Sequence, residues 1–268
     1  MGMTDAALQL LARARSAAEV RAALAAVPPG PKLRELLLQR YDELAAAPRR
    51  DPGTEVRAAL LAGLRPLLTA ADRGRLEAAL LTYEFGAHKE SGSRLRAAAL
   101  LALDEIDPDA AEWHAIHLLS NQYTEPMSGE PAATALRLLA AHGAGLPIYL
   151  HVLAGSSRQE LLAEALRALT GVPGPLLAEL ASRFLESEDE IALVGLFDLI
   201  TSHPDPGAFT AFVGAFAVKT DSFDVLRFAA AQIVATRREP LIGALRTALE
   251  LTPEEDRRSV LAAALGVE

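Results

Sequence analysis

Two stretches of the chain read alike 39 residues apart. Val56-Arg57-Ala58-Ala59-Leu60-Leu61-Ala62-Gly63-Leu64 and Leu95-Arg96-Ala97-Ala98-Ala99-Leu100-Leu101-Ala102-Leu103 share the pattern apolar-Arg-Ala-Ala-x-Leu-x-x-Leu. The spacing of their apolar residues is that of a helix face, not of a strand. Weaker copies begin near Ala133, Leu161, Ile191 and Leu226, so the six copies follow one another at steps of 39, 38, 28, 30 and 35. The fourth keeps Ala163, Leu166 and Leu169; the sixth keeps Arg227, Ala229 and Val234. A repeated amphipathic helix pair cannot cover both of its own apolar sides. Stacked copies bury a continuous core, and alanine lets neighbouring helices approach closely.

The rest of the chain supports helices throughout. Apolar residues are 51% of the 268 and aromatics only 5%, an excess of Ala and Leu that disfavours a β-sandwich. Periodicity and turn residues predict helices over 4–26, 31–46, 53–69, 71–85, 92–105, 108–120, 130–142, 145–154, 157–170, 174–186, 188–201, 206–217, 221–236, 239–250 and 253–265. Asp107-Pro108 and Thr252-Pro253 are expected helix starts, and Ser157…Glu160 and Ser187…Glu190 expected capping boxes. The two long connections are Phe85–Gly92, with His88, Lys89 and Glu90, and Asn121–Pro131, ending in the expected helix cap Ser128.

The paired helices resemble HEAT-type repeats, whose first helix often carries an apolar-Arg-x-Ala-Ala pattern. The resemblance covers about residues 50–236. It implies an all-α fold, a right-handed α-α superhelix of about six or seven HEAT-like pairs. The expected organisation is one solenoid array over 1–268: an N-terminal helical pair over 1–50, repeats over 51–236 and capping helices over 237–268. A single globular bundle is the structural alternative. Such a fold does not select a function. Some hydroxylases of this repeat class bind iron through His-Glu pairs, and no His here is followed by Glu.

Charge narrows the partners. Residues 1–80 carry 12 basic and 9 acidic side chains, residues 81–236 carry 9 and 20, and residues 237–268 carry 5 and 6. The formal net charge of −9 opposes phosphate neutralisation, so no nucleic-acid partner is expected. There is no cysteine, hence no disulfide or thiolate site, and no signal-peptide pattern, which together point to the cytoplasm. The 20-residue uncharged run Leu138–Ser157 is broken by His142, Gly143, Gly145, Pro147, His151 and Gly155. It reads as a helix end, a turn and a short helix, and no membrane association is expected.

Phosphate loops, G-x-S-x-G and His-Glu-x-x-His are all missing, so no catalytic residue is assigned. The richest cluster sits in expected second helices: Tyr83 and Glu84, then Glu112, Trp113, His114 and His117, then Tyr149 and His151. Gln122 and Tyr123 of the long loop join it. Second helices commonly line the concave face of a solenoid, where a polar-aromatic set suits a peptide or ligand. His114 and His117 share a helix face, but no third metal ligand is evident, so no metal or cofactor is assigned. The bland alternative packs Trp113 partly into the groove and leaves both histidines as surface residues. Arg57, Arg96 and Arg227 are expected to bridge to carboxylates or carbonyls of adjacent repeats. Phe209, Phe212, Phe216, Phe223 and Phe228 are expected in the core. The function expected is a non-catalytic scaffold binding a protein or peptide, a basic segment suiting the acidic middle. The alternative is an enzyme or a small-molecule or metal-binding protein using Trp113, His114, His117 and Tyr149.

Overall fold

The computed structural model describes residues 3–85, 90–155 and 158–267, with side chains from residue 6 onward. The loop residues His88 and Lys89 and the expected cap Ser157 lie outside the described residues. Those described form sixteen α-helices and no strand; Phe85 and Glu90 make one isolated antiparallel bridge. The chain divides into two compact units, Met1–His142 and Gly143–Glu268.

The first unit contains α1 (Met3–Arg13), α2 (Ala17–Leu24), α3 (Pro31–Ala46), α4 (Glu55–Leu64), α5 (Arg73–Leu80), α6 (Ser93–Asp104), α7 (Pro108–Leu119) and α8 (Ala132–Ala141). Helices α2, α4, α6 and α8 contact one another in succession, with α3 against α4, α5 against α6, and α7 against both α6 and α8. Buried Ala59, Ala99, Ala102, Ala111, Ala115 and Ala135 allow this close stacking. The expected helix over 4–26 is two helices. Ser16 breaks it: its hydroxyl accepts the Glu19 N–H at 3.2 Å, while the Glu19 carboxylate accepts the Arg15 N–H at 2.6 Å. A side chain that satisfies orphan N–H groups can start a new helix in mid-pattern. After α4, Pro66 sits in a 3-10 turn over Arg65–Leu67, because its ring cannot continue the helical hydrogen bonding.

The second unit contains α9 (Gly145–Ala154), α10 (Gln159–Arg167), α11 (Gly174–Ser182), α12 (Glu190–Ser202), α13 (Thr210–Lys219), α14 (Phe223–Thr236), α15 (Glu239–Leu251) and α16 (Glu255–Leu265). Here α10, α12, α14 and α16 follow one another in contact, and α11, α13 and α15 form a second row. Gly195 of α12 makes the closest approach possible, since a Cβ there would fall 2.6 Å from the Ala163 Cα and 2.7 Å from its carbonyl oxygen. Between the rows, Phe197 and Phe216 meet edge-on with centroids 5.0 Å apart, and Phe212 stacks on Phe216 at 5.9 Å. Each such buried ring contributes about 1.5–3 kcal/mol through removal from water.

Several local expectations change. Asp107 caps α7 as expected, accepting the Ala110 N–H at 3.0 Å. Asp189 caps α12 in place of Ser187, whose hydroxyl instead accepts the Asp189 N–H. Thr252 turns its hydroxyl back to the Ala248 carbonyl at 2.8 Å, and α16 starts after Glu254 with no side-chain cap. Ser128 does not cap α8, whose Thr134 N–H is accepted by Glu130 at 3.2 Å. Phe209, Phe212 and Phe216 are buried, but Phe228 is exposed and Phe223 only half-buried beneath Arg257.

Candidate functional site

The first unit is organised by two arginines that do not reach water. Arg57 is 2% exposed and Arg96 0%. A guanidinium in that position is tolerable only with its charge and donors matched. Arg57 donates from Nε to Asp51 Oδ2 at 3.1 Å and from a terminal nitrogen to the Asp51 carbonyl at 3.2 Å; its other terminal nitrogen lies 2.7 Å from Glu84 Oε1. Arg96 grips both oxygens of Glu90 at 2.9 and 2.7 Å, and donates to the carbonyls of Thr82 at 2.9 Å and Tyr123 at 3.0 Å. Burial works against the charge on Arg57, but Glu84 and Asp51 outweigh it and hold its pKa above the ordinary value.

The two sets are copies. Each arginine takes a carboxylate six residues upstream, Asp51 for Arg57 and Glu90 for Arg96. Each also takes an acceptor 27 residues downstream, the Glu84 side chain and the Tyr123 carbonyl. Asp51 further accepts the N–H groups of Val56 and Arg57, and so holds the start of α4. Glu90 accepts the N–H groups of Glu84 and Gly92, and so closes the connection between α5 and α6. Gly92 is required there, because a Cβ would lie 2.7 Å from Glu90 Oε1 and 2.8 Å from the Thr82 carbonyl oxygen. Asp51 and Glu90 are the partners that the sequence reading missed, although both sit at the same place relative to the repeated arginine.

This arrangement corrects the expected place of Tyr83 and Glu84. They do not belong to a second helix; α5 ends at Leu80. Arg96 takes the Thr82 carbonyl and Glu90 takes the Glu84 N–H, so these backbone groups are satisfied outside a helix. Tyr83 then lies under the Arg96 guanidinium, 4.3 Å from ring centroid to Cζ, and its hydroxyl accepts from Asn121 Nδ2 at 2.5 Å. Tyr123 meets Tyr83 edge-on at 5.6 Å and Phe85 at 5.3 Å. The two long connections therefore join through three aromatic rings, of which Phe85 and Tyr123 are exposed. Gln122 is exposed beside them.

Behind Arg57, a cavity of about 630 Å³ opens between α3 and α5. Tyr41, Asp42, Arg57, Arg75, Thr82 and Glu84 are among the residues lining it. Arg75 spans it with two bonds to Asp42, at 2.8 and 2.9 Å. Burial pushes the Tyr41 phenol up to about 12, against the pull of the nearby Arg57 charge. Arg57 and Arg96 are engaged by carboxylates and carbonyls as expected in kind, but Asp51 and Glu90 lie six residues before them, in the arginine's own repeat and not in an adjacent one. Arg227 differs: it pairs with Asp224 at 3.0 Å on its own exposed helix face.

Helix α7 carries the remaining candidates of the first unit. Its inward face is Ala111, Ala115 and Leu118, so Trp113 points the other way and is 76% exposed rather than packed into a groove. His117, one turn on, is exposed beside it in register. His114 is half-buried, and burial lowers its pKa, with Glu77 opposing and His117 and Arg73 reinforcing the shift. Glu112 lies 3.7 Å from His142 Nδ1, whose Nε2 is 2.9 Å from Asp104, so it belongs to the junction of α6, α7 and α8. Tyr149 and His151 fall on α9, in the second unit, both half-buried. His151 Nε2 is buried with no hydrogen-bond partner, and burial lowers its pKa. Among the described residues no group of three or more His, Asp or Glu side chains is placed to hold a metal ion. No helix of the described residues is long and apolar enough to cross a membrane.

Comparison with known proteins adds no relative: no protein-family model, no curated protein and no solved structure matches the chain.

Proposed function

We propose that the chain is a non-catalytic scaffold, built of HEAT-like helix pairs stacked as a right-handed superhelix, that binds a protein or peptide segment along its second helices. Packing of every other helix within each unit supports the stacking, as does the repeated arginine-carboxylate set. The observation that carries the binding reading is Trp113, a tryptophan left three-quarters in water on α7. A scattered exposed leucine is ordinary, whereas an exposed tryptophan is the residue type most enriched in binding hot spots. Leu81 follows α5 in the same unit, and Leu150, Leu176 and Leu251 are exposed on α9, α11 and α15 in the second. The net charge of −11 over 81–236 favours a basic partner, through steering more than affinity. Glu84 takes no part in that steering, since its carboxylate neutralises Arg57.

The test is capture of partners from source-organism lysate by the wild-type chain and by Trp113→Lys, followed by native mass spectrometry. A stoichiometric protein companion on the wild type, lost from the variant at unchanged helicity, is the expected result. Identical companions on both, or none on either, would overturn the reading.

A further inference from the structure

The second unit carries a surface that the second-helix reading does not use. Helices α12 and α14 lie side by side, and their first turns frame a shallow groove of about 330 Å³. Its floor and walls are Ile191, Val194, Val225 and Phe228, with Glu190 and Asp224 at the rim. Ile191 is 41% exposed and Phe228 39%, so two large apolar side chains meet water at one place. Beside the groove runs a cleft of about 580 Å³, formed where the connections into α12 and α14 approach each other. Glu190 borders both spaces, and its Oε1 accepts the Ser222 hydroxyl at 2.7 Å, tying the two helix starts together.

The charge around these spaces is one-sided. Glu186, Glu188, Glu190, Asp221 and Asp224 are all exposed there, against Lys219 in the cleft and Arg227, which is paired to Asp224. Part of this acidity has a local cause, because carboxylates favour helix N-termini. That cause does not bear on the apolar groove beside them, where Ile191 and Phe228 form one contiguous exposed apolar surface with Val194 rather than scattered single residues.

We infer that the α12–α14 groove and its adjoining cleft dock a short peptide segment in which an aliphatic or aromatic residue stands two positions from a lysine or arginine. The apolar residue covers Ile191 and Phe228, and the basic residue reaches the carboxylates of the cleft. Side chains of an extended segment alternate sides, so the apolar and the basic residue that enter the two adjoining spaces stand two apart, with one residue between them facing away. The inference rests on the peptide-binding reading of the whole chain, but places this contact on the first helices of two pairs in the second unit, whereas Trp113 belongs to the first.

The experiment is selection of a random peptide library on the full chain, with affinities then measured for synthetic copies of the selected peptides. Selected sequences are expected to place Lys or Arg two positions from Leu, Ile or Phe. Phe228→Lys and the pair Glu188→Lys with Asp221→Lys should each weaken binding by about tenfold or more, and added salt should weaken it too. All three positions are exposed, so circular dichroism should show helicity unchanged. Peptides lacking the basic-apolar pairing, full affinity on Phe228→Lys, or a library without binders would each overturn the inference. Peptides lost on Trp113→Lys but held by Phe228→Lys would sink this site while leaving the scaffold reading intact.

Discussion

Among the largest side chains buried in the first unit are Arg57 and Arg96; their counterparts in the second are Phe197, Phe209 and Phe216. The units have similar numbers of helices and the same every-other-helix packing, yet they hold together by different physics. Phenylalanine rings gain by leaving water and pack in several nearly equivalent ways. A buried guanidinium is directional: its charge and its N–H groups call for acceptors at set places, and in Arg96 both terminal nitrogens find them while Nε is buried without a partner. The first unit thereby fixes two irregular connections, because Arg96 reaches the Thr82 and Tyr123 carbonyls from below. The second unit has shorter connections and closes its helices mostly by apolar packing, down to backbone contact at Gly195, with one buried guanidinium, Arg257, donating to the Thr220 carbonyl at 2.6 Å between α13 and α14. In both units a buried guanidinium holds a connection; the first uses two for its longest ones, while the second closes the rest of its core by apolar packing.

The largest effects separate the two mechanisms. Glu90→Ala leaves Arg96 buried without its counter-charge and should cost about 3–5 kcal/mol; Phe216→Ala should cost a similar ~3–5 kcal/mol through a cavity. The pair Glu90→Leu with Arg96→Met removes the uncompensated charge and should recover part of the first loss, but not all, because the Glu84 and Gly92 N–H groups and the Thr82 and Tyr123 carbonyls lose their partners. Urea unfolding measures all three, and a Glu90→Ala cost below about 1 kcal/mol would remove the distinction between the units.

A smaller effect comes from pH. Burial lowers the pKa of His151 in the folded chain, so the unfolded chain binds the proton more readily. Its contribution is complete above the unfolded value of about 6.5 and is lost as pH falls through the lowered folded value. Asp72 behaves likewise lower on the scale. Burial raises its pKa, but the Thr69 N–H and the Arg34 guanidinium outweigh that and lower it overall, so its share is lost below about 4. Thermal midpoints against pH should therefore fall in two stages. His151→Phe should flatten the upper stage and Asp72→Asn the lower, and a profile unchanged by both variants contradicts the assignment. The smallest effect is Arg227→Ala, whose exposed pair with Asp224 should shift stability by no more than about 0.5 kcal/mol in the same unfolding assay.

Much of the helix layout was readable from apolar spacing and turn residues. The predicted spans 31–46 and 145–154 coincide with α3 and α9, and the uncharged run after Leu138 is indeed a helix end, a turn and a short helix. The differences have separate causes, the first being that grouping residues as apolar does not follow which side of its own helix each occupies. Trp113 lies opposite Ala111, Ala115 and Leu118, and Phe228 lies off the face formed by Val225, Ala229 and Ile233; helix geometry alone would have turned both outward. Tyr83 and Glu84 continued a helical pattern that Arg96 and Glu90 interrupt from a distant stretch of sequence. Asp51 and Glu90 stood in the sequence at matching places, but outside the periodic segments where the repeat was sought.

The upstream carboxylate has a consequence for how such a chain can grow or shrink. Asp51, Arg57 and Glu84 all fall within one 39-residue period, as do Glu90, Arg96 and Tyr123 in the next. A duplication or excision of one whole period leaves a guanidinium with its upstream carboxylate and its downstream acceptor, while the bond from Arg96 to the Thr82 carbonyl is a tie that crosses the boundary. Length is then a variable that recombination can change in steps of a whole period, whereas a cut that parts an arginine from the carboxylate six residues before it would strand an ion in the interior.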